Sequence, residues 1–131
     1  PRFEVVGCFC ECNGKILLLH RKDGKSEGNK WCVPAGKIEK GEKPIDAMQR
    51  EIQEETAITV SKNLIKYFDK YYVKYPGYDF VYYVFHTTME KQEVKIEEKE
   101  HKDFAWVTPK DALKINLVTD EDECIRIFYG I

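Results

Sequence analysis

The segment 44–56, PIDAMQREIQEET, is the feature that most restricts the fold of this chain. Pro44 is well tolerated in the first turn of a helix. Three apolar residues follow at helical spacing: Ile45, Met48 and Ile52. Three carboxylates lie about a quarter turn from this apolar stripe: Glu51, Glu54 and Glu55. The pattern predicts a helix that packs on a sheet through one side and borders a cleft with the other.

Most of the remaining chain consists of β-rich runs. We predict six strands, at 3–12, 15–21, 31–34, 64–75, 78–89 and 103–107. Asn13-Gly14 predicts a tight hairpin between the first two runs, and Pro76-Gly77 predicts a turn between the two longest aromatic-rich runs. The mostly charged segment 90–101 is predicted to be a solvated strand end and loop.

Two shorter helices are predicted near the end of the chain. Pro109 opens the first of them. Thr119, with Asp122 three residues later, resembles a capping box and predicts the start of the last helix. Ile125 and Phe128 are expected to form the buried side of that helix.

Size and charge exclude several classes of function. With 131 residues the chain is expected to form one domain, at 1–131. Its net charge of −2 disfavours a nucleic-acid polymer or an anionic membrane as a partner. No apolar run approaches the roughly 20 residues that span a bilayer. The N-terminal segment also lacks the shape of a signal peptide.

The cysteine pattern is not that of a zinc site. The chain has five cysteines, at Cys8, Cys10, Cys12, Cys32 and Cys124. The first three alternate along a predicted strand, so they share one face and are expected to be small buried hydrophobes. Free thiols persist in a reducing compartment, which favours a cytoplasmic location.

The three carboxylates of the predicted helix have two interpretations. Glu51 and Glu55 repel each other by a few tenths of a kcal/mol without a cation. Arg50 can offset Glu54 at i, i+4, and Glu-rich helix surfaces are common, so the three carboxylates alone favour a solvated face. Alternatively, the hard oxygen ligands suit Mg²⁺ or Mn²⁺.

The wider spacing favours the metal interpretation. Gly36 is followed by Glu42 and then by the run REIQEE at 50–55, in 23 residues that end at Ile58. This arrangement resembles the signature box of the Nudix hydrolases and departs from it at one position, Ala57, where the family has glycine. Either the backbone at Ala57 is not left-handed, or the chain tolerates a cost of about 1 kcal/mol there.

The resemblance implies a fold, an activity and a cofactor. The fold would be a Nudix α/β/α sandwich with a mixed, curved sheet between helices. The activity would be hydrolysis of a diphosphate linkage attached to a nucleoside, with Mg²⁺ (or Mn²⁺). The implied metal ligands are Gly36 through its carbonyl, Glu51, Glu54, Glu55 and Glu100.

The resemblance also assigns the other roles of the site. Glu54 or Glu100 would take the proton of the attacking water, and Arg50 would orient a box carboxylate. Glu97 and Glu98 are rivals for the place of Glu100, whereas His101 is expected to be merely solvated. The cations expected to bind the phosphates are Arg21 and Lys37. Base-binding candidates are Tyr82, Tyr83 and Phe85 for stacking, and Asn116 or Asp120 for a hydrogen bond.

The resemblance leads to three hypotheses about the substrate. The short chain, without the extra N-terminal segment common in ADP-ribose hydrolases of the family, favours a MutT-like enzyme. Such an enzyme releases pyrophosphate from a (d)NTP and leaves a (d)NMP. The alternatives are an ADP-ribose, sugar-nucleotide or dinucleoside polyphosphate hydrolase, or a module that binds a nucleotide without hydrolysing it. The expected partner is a small-molecule nucleotide, and the chain is expected to be a monomer or homodimer.

Overall fold

The fold is built on one mixed sheet, seen in a computed structural model that describes residues 2–131. The strands are β1 (Arg2–Cys12), β2 (Lys15–Arg21), β3 (Trp31–Cys32), β4 (Ala35–Lys37), β5 (Lys66–Tyr75), β6 (Tyr78–Thr88) and β7 (His101–Val107). The helices are α1 (Pro44–Thr56), α2 (Pro109–Ala112) and α3 (Glu121–Tyr129), and a 3₁₀ turn covers Lys62–Leu64.

The sheet has a parallel centre and antiparallel flanks. Its main order is β3-β2-β1-β6-β5, while β4 pairs with β1 and β7 pairs with β2. β1 and β6 run parallel over their whole length, and the other pairs are antiparallel. The predicted mixed sheet is therefore confirmed.

Both faces of the sheet are buried. Because side chains alternate along a strand, Cys8 and Cys10 of β1 join the hydrophobic cluster that includes Met48 of α1. Phe9 points the other way and joins the cluster that includes Ile125 of α3. Helices thus cover the sheet on two sides, as the α/β/α sandwich requires.

Helix α1 has the predicted bounds and the predicted packing. Met48 and Ile52 are completely buried, and Ile45 packs against the same cluster. The Thr56 hydroxyl is also buried, and it donates to the carbonyl of Ile52 at 2.6 Å. The apolar stripe therefore fixes the rotation of the helix and leaves the carboxylate side toward β4.

Several predicted boundaries differ from the structure. The strand predicted at 64–75 begins at Lys66, because a 3₁₀ turn precedes it. The strand predicted at 31–34 ends at Cys32, and a further strand that was not predicted, β4, follows it and pairs with β1. β7 begins at His101, two residues earlier than predicted.

The predicted cap of the last helix is wrong. Asp120, rather than Thr119, is the N-cap of α3, and it adopts a left-handed conformation with φ 68°. The Thr119 amide and hydroxyl instead both donate to the Glu27 carboxylate. The capping-box pattern failed because Thr119 binds a residue that is distant in the sequence, Glu27, instead of capping the helix.

The cysteine interpretation holds. The five cysteines are free thiols, and the three of the C-x-C-x-C run are buried in β1. In the part of the chain that the structure describes, no helix is long and apolar enough to span a bilayer.

The end of α1 resolves the departure at Ala57. Its backbone is left-handed, with φ 63° and ψ 16°, and its amide donates to the carbonyl of Gln53 at 2.9 Å. The helix therefore ends in the conformation that favours glycine, and the chain tolerates alanine there.

We expect Ala57→Gly to raise the free energy of unfolding by about 1 kcal/mol, because glycine adopts this conformation without the contact of a Cβ atom. Urea unfolding monitored by tryptophan fluorescence measures the change. Ala57→Val is the matched control and should destabilise the protein, since a β-branched residue at positive φ is strained. An unchanged or lower unfolding free energy in Ala57→Gly would contradict the account.

Candidate active site

Gly36 allows the box helix to approach the sheet closely. It lies in β4 opposite Val6 of β1. A Cβ atom at Gly36 would collide with the carboxylate of Glu51. A side chain at this position would therefore displace the Glu51 carboxylate, which lies directly against the backbone of β4.

Arg50 lies among the carboxylates and binds three of them. Its Nε and Nη2 donate to Glu42 at 2.8 and 2.9 Å. Its Nη1 donates to Glu51 at 2.7 Å and to Glu54 at 2.8 Å. Nη2 also donates to the carbonyl of Lys37 at 3.0 Å. The guanidinium therefore orients the box carboxylates and ties α1 to the end of β4. The sequence did not single out Glu42 as its bidentate partner.

The pKa values around Arg50 show the balance of charge. Hydrogen bonds from Arg50 lower the pKa of Glu42. Burial raises the pKa of Glu51 above its ordinary value, although Arg50 opposes the change. The bonded carboxylates, Glu42 first, raise the pKa of Arg50 itself. The single guanidinium of Arg50 thus donates hydrogen bonds to three carboxylates, so the cluster retains a net negative charge.

Glu55 contacts the start of β4, whereas Arg50 contacts its end. Its carboxylate accepts a hydrogen bond from the Ala35 amide at 2.9 Å. Burial raises the pKa of Glu55 well above its ordinary value, and the charges of Glu51 and Glu100 raise it further, whereas the Ala35 amide and Arg21 oppose the change. The ionised form of Glu55 is therefore unfavourable, and a nearby cation would stabilise it.

Glu100 lies in the turn before β7, and its charge raises the pKa of Glu55. Its side chain is about half exposed and has an ion pair with Lys25 at 3.5 Å. Its rivals Glu97 and Glu98 are exposed. The role of Glu100 as a metal ligand stays a prediction.

The expectation that His101 is solvated is wrong. The residue is 2% exposed, and its Nε2 lies 3.9 Å from Sγ of Cys32. Burial and the charge of Arg21 lower the pKa of His101 to about 4. The imidazole is consequently a neutral, buried group beside Glu100. The polar neighbours in the sequence concealed this position, because β7 begins inside the charged run.

The two predicted phosphate-binding cations differ in their contacts. Arg21 ends β2, and its Nε donates to the carbonyl of Ser26 at 2.8 Å. Its charge lowers the pKa of Glu55. Lys37 is exposed, and its Nζ lies 4.5 Å from the centroid of the Phe3 ring.

The donor set fits a divalent cation. Among residues 2–131, no three His, Cys, Asp or Glu side chains already form a metal-binding cluster. The carboxylates that converge on β4 are hard oxygen ligands, however, and burial makes the ionised forms of Glu51 and Glu55 unfavourable. A divalent cation would remove this penalty without any new ligand type.

A cleft of about 500 Å³ opens between the β5–β6 hairpin and the start of α3. Its walls are mainly aromatic, with Phe3, Tyr71, Tyr75, Tyr78, Phe80 and Tyr82. Ala35 also lines the cleft, and the amide of Ala35 holds Glu55. The aromatic cleft and the carboxylate cluster therefore meet at β4, within one residue of Gly36.

Comparison with known proteins identifies this arrangement. The model of the NUDIX domain matches residues 1–128. The chain belongs to the Nudix family. It is a Nudix pyrophosphohydrolase, acting on acid anhydrides, and its resemblance to MutT-like enzymes is confirmed.

Relatives of similar length match almost the whole chain. The nucleoside triphosphatase NudI of Escherichia coli (strain K12) is 30% identical over 133 residues, which cover 94% of this chain and 94% of NudI. The CTP pyrophosphohydrolase of the same strain is 25% identical over 128 residues, covering 98% and 92%. The crystal structure of a MutT protein from Methanosarcina mazei Go1 has a TM-score of 0.84 at 21% identity, covering 99% and 94%. This similarity confirms the fold.

The candidates for base binding separate by strand face in this Nudix domain. Tyr82 faces the cleft, and its hydroxyl occupies the space that a Cβ atom at Gly7 would need. Tyr83 points to the opposite face, where its hydroxyl donates to Glu4 at 2.6 Å. Phe85 is buried in the core beneath α1. Of the three aromatic candidates, the alternation of β6 leaves Tyr82 for a base.

Glu121 is the cleft residue that sequence reasoning missed. It is 5% exposed, and one carboxylate oxygen, Oε1, accepts from the Val33 amide at 3.1 Å. The other, Oε2, is buried and has no hydrogen-bond partner among the described residues. Burial raises the pKa of Glu121 to about 7. A signal was present, since Glu121 precedes Ile125 and Phe128 at i, i+4 and i+7 on the apolar side of α3.

The two polar candidates near Glu121 differ in position. Asp120 lines the cleft, but its carboxylate already accepts from the Tyr75 hydroxyl at 2.8 Å. Asn116 is exposed, and its carbonyl accepts from the Trp31 amide at 2.8 Å. Among the described residues, Glu121 is therefore the cleft carboxylate with a buried oxygen that has no hydrogen-bond partner.

We expect Glu121 to make the protein less stable as pH rises. Its folded pKa, about 7, lies above the ordinary value of 4.5. The folded state therefore holds the proton more tightly, so stability is full below pH 4.5 and falls until about pH 7. Between pH 5 and pH 7.5 the loss should be on the order of 2 kcal/mol.

Urea unfolding at both pH values, in wild type and in Glu121→Gln, measures this effect. The unfolding free energy of wild type relative to the glutamine variant should fall by this amount from pH 5 to pH 7.5, because the shifted groups Glu55 and His101 act equally in both proteins. Glu123→Gln is the matched control, because Glu123 is an exposed glutamate of the same helix. Parallel pH dependence of wild type and Glu121→Gln would show that Glu121 is not the group responsible.

Proposed function

We propose that this Nudix enzyme hydrolyses a nucleoside triphosphate, with either ribose or deoxyribose, to a monophosphate and pyrophosphate. The observation that carries the proposal is the position of Ala35. Ala35 lines the aromatic cleft, and its amide donates a hydrogen bond to the Glu55 carboxylate. A base in the cleft would thus place the phosphates beside the carboxylates.

The relatives support this substrate class. NudI is named for nucleoside triphosphates, and the other E. coli relative is named for CTP. Both align with nearly the whole of this chain.

We assign the cation to the residues that converge on β4. The carboxylates of Glu51, Glu54, Glu55 and Glu100 and the carbonyl of Gly36 would hold Mg²⁺ or Mn²⁺. The bound cation supplies polarisation of the phosphoryl oxygens and neutralises their charge. Arg50 keeps Glu51 and Glu54 oriented through hydrogen bonds of 2.7 and 2.8 Å.

The reaction is a displacement at phosphorus. The oxygen of a water molecule forms a bond to one phosphorus of the α–β linkage, and the bond from that phosphorus to the bridging oxygen breaks. Glu54 or Glu100 takes the proton of the water. Glu54 is half exposed, and Glu100 is similarly open, so both reach the solvent from which the water comes.

Arg21 and Lys37 would bind the phosphates. The Arg21 charge already lowers the pKa of Glu55, and Lys37 extends from the strand that holds Gly36. A planar guanidinium also binds phosphate oxygens in pairs, which adds orientation.

The base would lie in the cleft against Tyr82, with Glu121 at its edge. Stacking of a base on an aromatic ring is worth about 1–3 kcal/mol. Oε2 of Glu121 has no partner among the described residues, and its pKa of about 7 lets it donate or accept near neutral pH. A base edge would satisfy a group that is otherwise buried without a hydrogen bond.

The other substrate readings remain testable alternatives. An ADP-ribose, sugar-nucleotide or dinucleoside polyphosphate substrate would leave a second group outside the cleft. A module without hydrolysis would not need the box carboxylates, which this chain retains. We also propose a cytoplasmic location, because the five cysteines are free, and a monomer or homodimer as the functional form.

We expect Glu54→Gln and Glu55→Gln each to lower kcat by at least about 10²-fold, as the loss of a proton acceptor or a charged ligand does. Release of pyrophosphate from a panel of NTPs and dNTPs with Mg²⁺ measures the effect. Excess EDTA should abolish the activity, and Glu98→Gln, an exposed glutamate, should behave like wild type. Full activity in EDTA would refute the metal assignment.

Glu121→Gln should raise KM for the preferred triphosphate about tenfold with little change in kcat, because it alters binding of the base rather than the reacting phosphates. Steady-state kinetics on the panel, extended to ADP-ribose and dinucleoside polyphosphates, measures this. Glu98→Gln is the control, because Glu98 is an exposed glutamate outside the cleft lining. Faster hydrolysis of ADP-ribose than of every triphosphate would favour the alternative substrate.

A further inference from the structure

We propose that His101 is a positioning residue that fixes the turn carrying Glu100 relative to β4, through a buried contact with Cys32. The inference rests on the proposed function, because it concerns how one glutamate reaches the site. Its physical basis is a continuous series of contacts from the Glu100 turn to the strand that binds Glu55.

Glu100 cannot be fixed by its own side-chain contacts. Its ion pair with Lys25 is long, at 3.5 Å, and both side chains are more than a third exposed. Such surface pairs contribute little to order. The backbone, by contrast, is held, because the Glu100 amide donates to Glu97 at 3.0 Å and its carbonyl accepts from the Lys22 amide at 3.0 Å.

His101 anchors the turn immediately after Glu100. It is the first residue of β7 and pairs with Arg21 of β2, where the register of the two strands shifts. Its amide donates to the carbonyl of Glu97 at 2.9 Å. The side chain is buried while Glu97, Glu98 and Lys99 are exposed. The imidazole is thus the point at which the turn enters the core.

Cys32 connects this anchor to Glu55. Its Sγ lies 3.9 Å from Nε2 of His101 and 3.7 Å from the carbonyl of Leu19. The next three residues are each held by a hydrogen bond. The Val33 amide donates to Glu121, the Pro34 carbonyl accepts from the Cys8 amide at 3.0 Å, and the Ala35 amide donates to Glu55. A displacement of His101 would therefore be transmitted to both sides of the site.

A purely structural role does not account for a histidine here. Nδ1 of His101 is buried and has no hydrogen-bond partner among the described residues. An apolar side chain would fill the same space without an unpaired polar atom, and such replacements are often neutral or stabilising. The histidine is better explained by a polar contact that orients the turn than by packing.

The test compares His101→Leu, which fills the space, with His101→Gln, which keeps an N–H group for Cys32. Mn²⁺ alone is titrated into each protein and followed by electron paramagnetic resonance, and kcat is measured separately. We expect His101→Leu to weaken Mn²⁺ binding and to lower kcat by about tenfold each, as outer-shell changes do. His101→Gln should restore most of both, and thermal unfolding should show all variants folded.

A double-mutant cycle decides whether His101 acts through Glu100. If it does, His101→Leu should cause no further loss of Mn²⁺ affinity in the Glu100→Gln background, whereas independent effects would add. In the Glu98→Gln background the full loss should remain. Additive losses with Glu100→Gln would overturn the inference, as would wild-type Mn²⁺ affinity in His101→Leu.

Cys32→Ala tests the other end of the contact. Cys12→Ala is its matched control, because Cys12 and Cys32 are 7% and 8% exposed. Both variants should lose similar stability, but Cys32→Ala should also weaken Mn²⁺ binding. Equal Mn²⁺ affinity in the two would overturn the inference. The proposed hydrolysis is judged separately, by EDTA and by Glu55→Gln, so failure of one result does not imply failure of the other.

Discussion

The carboxylates of α1 can lie together only because positive charge is placed among them. Arg50 provides it with one guanidinium for Glu42, Glu51 and Glu54. The same group donates to the Lys37 carbonyl, so it also fixes the distance between α1 and β4. Because Arg50 also binds Glu51, it keeps this carboxylate close to Gly36, where a Cβ atom would displace it. The hydrogen bonds that balance the charge therefore also hold α1 near β4.

The sheet connects two sites that its faces keep apart. One face packs against α1, whose carboxylates lie against β4, and the other packs against α3, whose start closes the cleft. β4 is short and lies beside β1, at the place where both meet. Ala35 and Gly36 therefore serve the two sites from adjacent residues. A substrate with an apolar ring and a charged tail matches this division.

The sequence predicted those parts of the structure that depend on local periodicity. The bounds of α1, its buried stripe and the hairpin at Asn13-Gly14 follow from spacing and turn chemistry, and both turn residues have positive φ. The residues predicted less well depend on long-range contacts. Thr119 binds Glu27 instead of capping α3, and His101 is buried within a charged run because β7 pairs with β2.

The carboxylate cluster was easier to predict than the cleft for a physical reason. The ligands of the cluster lie mostly on one helix, so their spacing alone brings them together. The walls of the cleft come from β1, β4, β5, β6 and α3, and β1 and β6 contribute alternate residues. No local pattern shows which face of β6 meets α3, so Tyr82 could not be separated from Tyr83 before the pairing was known.

Several unfavourable groups lie at the two sites. Ala57 and Asp120 both have left-handed backbones, Glu121 has a buried oxygen without a partner among the described residues, and burial disfavours ionised Glu55. Such groups also occur elsewhere, since the buried Thr87 hydroxyl of β6 lacks a partner among the described residues too. Strain of this kind persists where the surrounding structure holds it and where a ligand can relieve it. A cation beside Glu55 and a base edge beside Glu121 would each relieve one such penalty. Binding of the nucleotide with its cation should therefore stabilise the folded state through both groups at once, and more than either ligand does alone.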